Sequence, residues 1–358
     1  MRAVRRRDTG VRDPAGVCGR LLCTLGAVKV LLTGTAGGAG WPEPGCPCAS
    51  CAALPAGHRR PFGLVVDGRV TYPFRDLPAG YRTSAGGLGL VCPDGGRLLH
   101  LPRGVPVPAP EPAPYDVVLI DLLDRPERLG ELRRAGLAGA ATTVAAVGLD
   151  HRIRSEDELA RRLRLWGAIA VPDGTELAPG RGTAARIPRR ALLLGGSRSG
   201  KSAEAEARLA AEPHVTYVAT GPSGAGDGEW AARVRAHRER RPAHWDTVET
   251  TDLAAAIRTA ATPLLIDGLG TWLAAVFDEH GAWEGDRAPV QARCDELVAA
   301  WRQAPRPLVA VSDEVGMGVV PATAGGRAFR DALGRLNERL AAESEYVALV
   351  VAGRVLEL

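Results

Sequence analysis

The sequence predicts an α/β protein of two domains, the second of them a parallel sheet with helices on both faces. Three observations carry this. Short apolar runs alternate with helical segments through the second half of the chain, the rhythm of parallel sheets, whose crossovers are usually helical. A glycine-rich turn follows an apolar strand at two places, after residues 28–33 and after residues 190–194. The length of 358 residues suits roughly two domains at about 100–200 residues each.

Taken in order, residues 1–27 carry Arg5, Arg6 and Arg7 and then a weakly apolar stretch around Leu21. That stretch is too short for a secretory signal, so it reads as a disordered extension or a mis-assigned start. The first domain is placed at 28–178. A proline-rich run, 102–114, interrupts it and is expected to cross its surface. Residues 172–190 are rich in Pro, Gly, Thr and Ala without an apolar period, and the linker is placed at 179–189. The second domain, 190–358, offers strands at 191–194, 215–219, 264–267, 308–311 and 346–351, short apolar runs of the buried parallel type. Helices are expected at 203–211, 230–240 and 326–343. In the last, Phe329, Leu333, Leu336 and Leu340 recur at helical spacing and define one buried face.

Composition removes several functions. The 45 basic and 41 acidic residues leave a net charge of +4, too small to argue for a nucleic acid partner. No run approaches the roughly 20 apolar residues of a membrane span, so membrane insertion is not expected either. The seven cysteines are odd in number and unevenly spaced, unlike a disulfide scaffold. Cytoplasm is the expected location.

The turn after the second apolar strand reads Gly195, Gly196, Ser197, Arg198, Ser199, Gly200, Lys201 and Ser202. This fits G-x-x-x-x-G-K-[ST] between a strand and a helix, the context that motif requires. Glycines let backbone N–H groups turn inward around phosphate oxygens. The helix N-terminus favours the same anion. Lys201 would reach the β- and γ-phosphates, and Ser202 would offer a hydroxyl to Mg²⁺. Only Lys29 and Lys201 are lysines in this arginine-rich chain, and one stands where arginine's broad fork would not substitute. Leu264, Leu265 and Ile266 then lead to Asp267. A carboxylate there either holds Mg²⁺ or caps the turn before Gly268.

A basic segment needs its own argument. Arg233 and His237 are four residues apart, on one helical face. Arg238, Arg240 and Arg241 crowd the same end, and Pro242 stops the helix. One reading is a solvated basic helix. The other is a nucleophilic site. A neutral imidazole can attack phosphorus and form a phosphoramidate, while guanidinium groups neutralise the phosphates and hold the ring deprotonated.

These motifs, in this order, carry a resemblance. Residues 195–202 (GGSRSGKS), 217–220 (YVAT), 237–245 (HRERRPAHW), 247–249 (TVE), 314–321 (EVGMGVVP) and 329–337 (FRDALGRLN) resemble the bifunctional adenosylcobinamide kinase / adenosylcobinamide-phosphate guanylyltransferase family of cobalamin biosynthesis. The resemblance covers nearly half the chain, from about residue 190. It implies a P-loop sheet related to the RecA type and a homotrimer. It implies phosphorylation of adenosylcobinamide by ATP or GTP, then transfer of GMP from GTP through a guanylylated histidine to give adenosyl-GDP-cobinamide. The histidine falls on His237. Nucleotide contacts fall on the loop, on Ala219, Thr220 and Gly221, on Arg238, Glu239, Arg240 and Arg241, and on Glu249 and Asp267. His244 reads as structural, beside Trp245. The family often has Asn where this chain has Asp313, which bears on metal handling or nucleotide preference.

In the first half, Cys46, Cys48 and Cys51 form C-x-C-x-x-C. Three thiols so close can converge on one tetrahedral Zn²⁺ with a fourth ligand from His151 or His58. They can equally be reduced cysteines in a loop. Residues 31–51 and 157–177 resemble the start and end of metallo-β-lactamase-fold proteins of the phosphodiesterase and quinone-cofactor branch. The dinuclear site of that fold needs clustered histidines, and this half has only His58, His100 and His151, all apart. A shortened, catalytically silent domain with a scaffold or docking role is expected. Two other functions compete: a P-loop kinase of another small alcohol without guanylyl transfer, and a nucleotide-sensing regulator whose cysteine-rich half binds a partner.

Overall fold

The computed structural model describes residues 28–177, 179–180, 187–221, 235, 239 and 241–358. The first half holds β1 (Val30–Gly34), α1 (Ala49–Ala52), β2 (Gly63–Val66), β3 (Val70–Thr71), β4 (Arg82–Ser84), β5 (Gly89–Val91), β6 (Arg97–Leu101), β7 (Val117–Ile120), α2 (Glu127–Arg134), β8 (Thr143–Ala146), α3 (Glu156–Trp166) and β9 (Thr175–Leu177). Two sheets result. One is antiparallel, in the order β3-β2-β1-β9; the other is mixed, in the order β4-β5-β6-β7-β8.

Strand alternation explains how the sheets meet. In β6 and β7, Leu98, Val117 and Leu119 face Val30, Leu32, Leu64 and Val66 of the antiparallel sheet. Their neighbours Leu99, Val118 and Ile120 point the other way, onto Leu129 and Leu132 of α2 and Leu159, Leu163 and Trp166 of α3. β9 lies inside the stretch whose composition suggests a linker. Leu177, only 5% exposed, packs there as part of the core.

The second half forms one sheet from β10 (Arg190–Gly195), β11 (Thr216–Ala219), β12 (Asp246–Glu249), β13 (Leu264–Asp267), β14 (Leu308–Asp313), β15 (Tyr346–Val351) and β16 (Arg354–Glu357). The order is β12-β11-β13-β14-β10-β15-β16. All neighbours are parallel except β15 and β16. The helices are α4 (Lys201–Leu209), α5 (Leu253–Arg258), α6 (Leu269–Glu279), α7 (Ala288–Arg302) and α8 (Ala324–Ala342). Leu333, Leu336 and Leu340 are buried as their spacing predicts, while Phe329 packs at the margin of that core. The sheet has two strands that apolar runs did not announce. β12 is exposed at all four positions, and β16 is a polar antiparallel edge.

The halves meet along α3 and α4. Arg161 pairs with Glu204 at 2.7 Å, and the Trp166 indole donates to the Ala207 carbonyl at 2.7 Å. From α2, Arg133 donates to the Ala211 carbonyl at 2.8 Å. Among the described residues no helix is long and apolar enough to cross a membrane.

Candidate active site

The parallel strands β10, β11, β13 and β14 end along one edge of the sheet, where ligand sites of open α/β sheets form. The loop after β10 is shaped by what its glycines permit. A Cβ on Gly195 would lie 2.6 Å from both Ser199 Oγ and the Val350 carbonyl oxygen. Gly200 has φ +98° and closes the loop at the start of α4. That helix starts at Lys201, two residues before the position its apolar pattern suggests. Arg198 adopts φ +56° without being glycine, the kind of local strain that gathers at functional loops.

Two sets of side-chain contacts connect the loop to the rest of the edge. Ser202 Oγ donates to Asp267 Oδ1 at 3.0 Å. The Tyr217 hydroxyl donates to the other oxygen of Asp267. Burial, and then Asp267, push the Tyr217 hydroxyl well above its usual titration range. The Arg241 guanidinium lies over the Tyr217 ring, 3.4 Å from its centroid. On the other side, Lys201 Nζ donates to the Gly196 carbonyl at 3.0 Å and pairs with Asp313 Oδ1 at 2.8 Å. β14, which ends in Asp313, separates the loop strand from β13.

A cleft of about 380 Å³ opens beside Arg241, lined also by Pro242, Ala243, Trp245, Thr247 and Glu249. Strand register sets Ala219 beside both Glu249 and Asp267. Thr220 Oγ1 donates to the Gly268 carbonyl at 2.7 Å, and Gly221 follows it. The loop residues, Ala219, Thr220, Gly221, Arg241, Glu249 and Asp267 therefore gather on one edge. Arg235 and Glu239 are helical and exposed. His237, Arg238 and Arg240 lie outside the described residues. His244 Nε2 sits 3.3 Å from the Glu212 carbonyl, between the two halves. Sequence reasoning did not single out the Tyr217 hydroxyl. Its signal was a lone tyrosine in a short buried strand, two residues before the strand's end.

In the first half Cys46, Cys48, Cys51 and His151 bring their ligand atoms within 4.8 Å of one another. His151 Nδ1 lies 3.5 Å from Cys46 Sγ and 3.6 Å from Cys51 Sγ. The Cys51 N–H donates to Cys48 Sγ and lowers that thiol's pKa, whereas burial raises the Cys51 thiol to about 11. His58 instead pairs with Glu156 at 2.8 Å.

A glycine-rich loop between a strand and a helix, with lysine and serine at its end and an acid on a nearby parallel strand, defines a P-loop α/β protein. The chain belongs to the family described as cobinamide kinase / cobinamide phosphate guanyltransferase, whose model matches residues 191–358. It is 41% identical to the bifunctional adenosylcobalamin biosynthesis protein CobU of Salmonella typhimurium over 177 residues, 45% of this chain and 95% of that one. It is 38% identical to CobU of Escherichia coli, over 45% of this chain and 95% of the relative. It is 41% identical to CobP of Pseudomonas aeruginosa, over 46% of this chain and 94% of the relative.

Proposed function

We propose that the protein phosphorylates adenosylcobinamide with ATP or GTP and then transfers GMP from GTP to the product, in cobalamin biosynthesis. The observation that carries this is the family match over 191–358 on a chain whose loop, Lys201, Asp267 and Arg241 gather on one sheet edge. The names of the relatives, which this chain covers almost end to end, support the same pathway.

In the first reaction the loop amides and Lys201 hold the triphosphate, and the substrate hydroxyl attacks the γ-phosphorus as the nucleoside diphosphate leaves. In the second, a neutral nitrogen of His237 attacks the α-phosphorus of GTP and pyrophosphate leaves. The cobinamide phosphate oxygen then displaces the imidazole, giving adenosyl-GDP-cobinamide. Arg238, Arg240 and Arg241 offset the phosphate charge through both steps. Ser202 and Asp267, hard oxygen donors 3.0 Å apart, suit Mg²⁺, which supplies charge neutralisation when bound with the nucleotide.

Three thiol sulfurs and one imidazole nitrogen suit a structural Zn²⁺. The two face-to-face sheets of the first half, with helices outside one of them, support a shortened metallo-β-lactamase-like domain. Asp121, Asp124 and Asp150 there are all paired with Arg152, which supports a catalytically silent scaffold. A cytoplasmic homotrimer completes the reading.

The test is covalent labelling. Incubation with α-³²P-GTP should leave an acid-labile, base-stable label, as expected of a phosphoramidate, and His237→Ala should abolish it and guanylyl transfer while kinase activity persists. Normal GMP transfer by that variant would refute the histidine assignment. Lys201→Ala should impair both reactions, because one loop serves both nucleotides.

A further inference from the structure

The hairpin between β15 and β16 connects the two halves of the molecule at the phosphate loop. Its tip, Ala352 and Gly353, has φ +49° and +69°, the paired left-handed residues of a tight two-residue hairpin turn. Alanine is poorly suited to that conformation, so the tip is held there by its surroundings. Gly353 N donates to the Ser199 carbonyl at 2.7 Å, inside the loop. A Cβ on Gly200 would lie 3.3 Å from Gly353 Cα. On the far side, Arg154 of the first half donates to the Gly353 carbonyl at 3.1 Å.

Arg154 stands on a fixed base. Its neighbour Arg152 binds Asp150, Asp121 and Asp124 at 2.8, 2.8 and 2.7 Å. His151 lies in the cysteine cluster. Ser155 caps α3 by accepting from Glu158 N, and Arg154 also pairs with Glu158 at 3.4 Å. A second strut reaches the helix behind the loop, where Arg161 joins Glu158 to Glu204.

We infer that the first half acts on the nucleotide site by holding the phosphate loop in shape, with Arg154 as the positioning residue through Gly353 and Ser199. The first half is then a brace for nucleotide binding rather than a passive appendage. The inference rests on the nucleotide-binding reading of the loop and not on the cobinamide chemistry.

The experiment titrates the full-length protein with a fluorescent GTP analogue carrying Mg²⁺ and records thermal unfolding beside it. Lys201→Ala serves as reference, and its failure to weaken binding would refute the nucleotide reading itself. Arg154→Ala should raise the dissociation constant roughly fivefold, the scale of one ordinary intramolecular hydrogen bond, without lowering the unfolding temperature by more than a degree or two. Arg154→Lys should recover part of the affinity. Arg162→Ala removes another arginine on Glu158 (2.7 Å) that does not reach the hairpin, and should leave affinity unchanged. Unaltered affinity in Arg154→Ala, no recovery in Arg154→Lys, or an equal loss in Arg162→Ala would each overturn the inference.

Discussion

At the scale of single residues, the site is organised around two carboxylates with different tasks. Asp267 accepts from Ser202 and from the buried Tyr217 hydroxyl. Tyr217→Phe keeps the ring on which Arg241 stacks but removes the donor to Asp267. A lost hydrogen bond to a charged group costs about 1.5–3 kcal/mol. Turnover of both phosphoryl and guanylyl transfer should therefore fall by roughly tenfold, with Arg241 still in place. Steady-state assays of the two half-reactions check this, and full activity would mean that Asp267 is oriented by the loop alone. Asp313 has the opposite effect. It holds Lys201 at 2.8 Å and puts a negative charge beside the loop proposed to hold the phosphates. Asp313→Asn should tighten GTP by roughly threefold, a modest gain because the carboxylate is 40% exposed and screened by solvent. Weaker binding in Asp313→Asn would mean that the pair pre-positions the lysine.

At the scale of elements, the glycines decide whether the loop can exist. Gly200 combines φ +98° with the close approach of the Gly353 backbone. Gly200→Ala forces a side chain into a left-handed backbone, at about 1–2 kcal/mol, and pushes the hairpin tip away. GTP affinity should fall by more than about tenfold, while the sheet, whose core lies elsewhere, keeps its circular dichroism. Wild-type affinity would show that the loop has room to relax. The elements that sequence revealed best are those whose own side chains are buried. β10, β13 and β14 are continuous apolar runs because both faces are covered, and α8 shows its buried stripe. β12 and β16 escaped because edge strands are specified by the backbone of the strand beside them, not by their own side chains.

At the scale of the whole molecule, the same logic separates what was legible from what was not. The loop, Asp267 and the C-x-C-x-x-C cluster sit within local motifs and could be read directly. The choice of His151 over His58 beside the thiols, the Tyr217 contact and the brace from α3 to α4 depend on residues far apart in sequence, many of them charged groups that would pass for ordinary surface. His100 is a further case. It lies between the two sheets of the first half, stacked on Phe62 at 4.2 Å and edge-on to Tyr72 at 4.4 Å. Its Nδ1 has no hydrogen-bond partner among the described residues. Burial lowers its pKa from 6.5 to about 4. A histidine held neutral in the folded state stabilises fully above pH 6.5, because the unfolded chain binds no extra proton there. As pH falls from 6.5 towards 4 the unfolded state takes up a proton that the folded state refuses, and up to about 3 kcal/mol is lost. Other groups titrate in that window, so the measurement is a difference. Urea unfolding of the wild type and of His100→Phe at pH 7, 6, 5 and 4.5 should show the variant gaining stability relative to the wild type at each step down. A gap that stays constant with pH would mean that the ring is protonated, or reached by water, between the sheets.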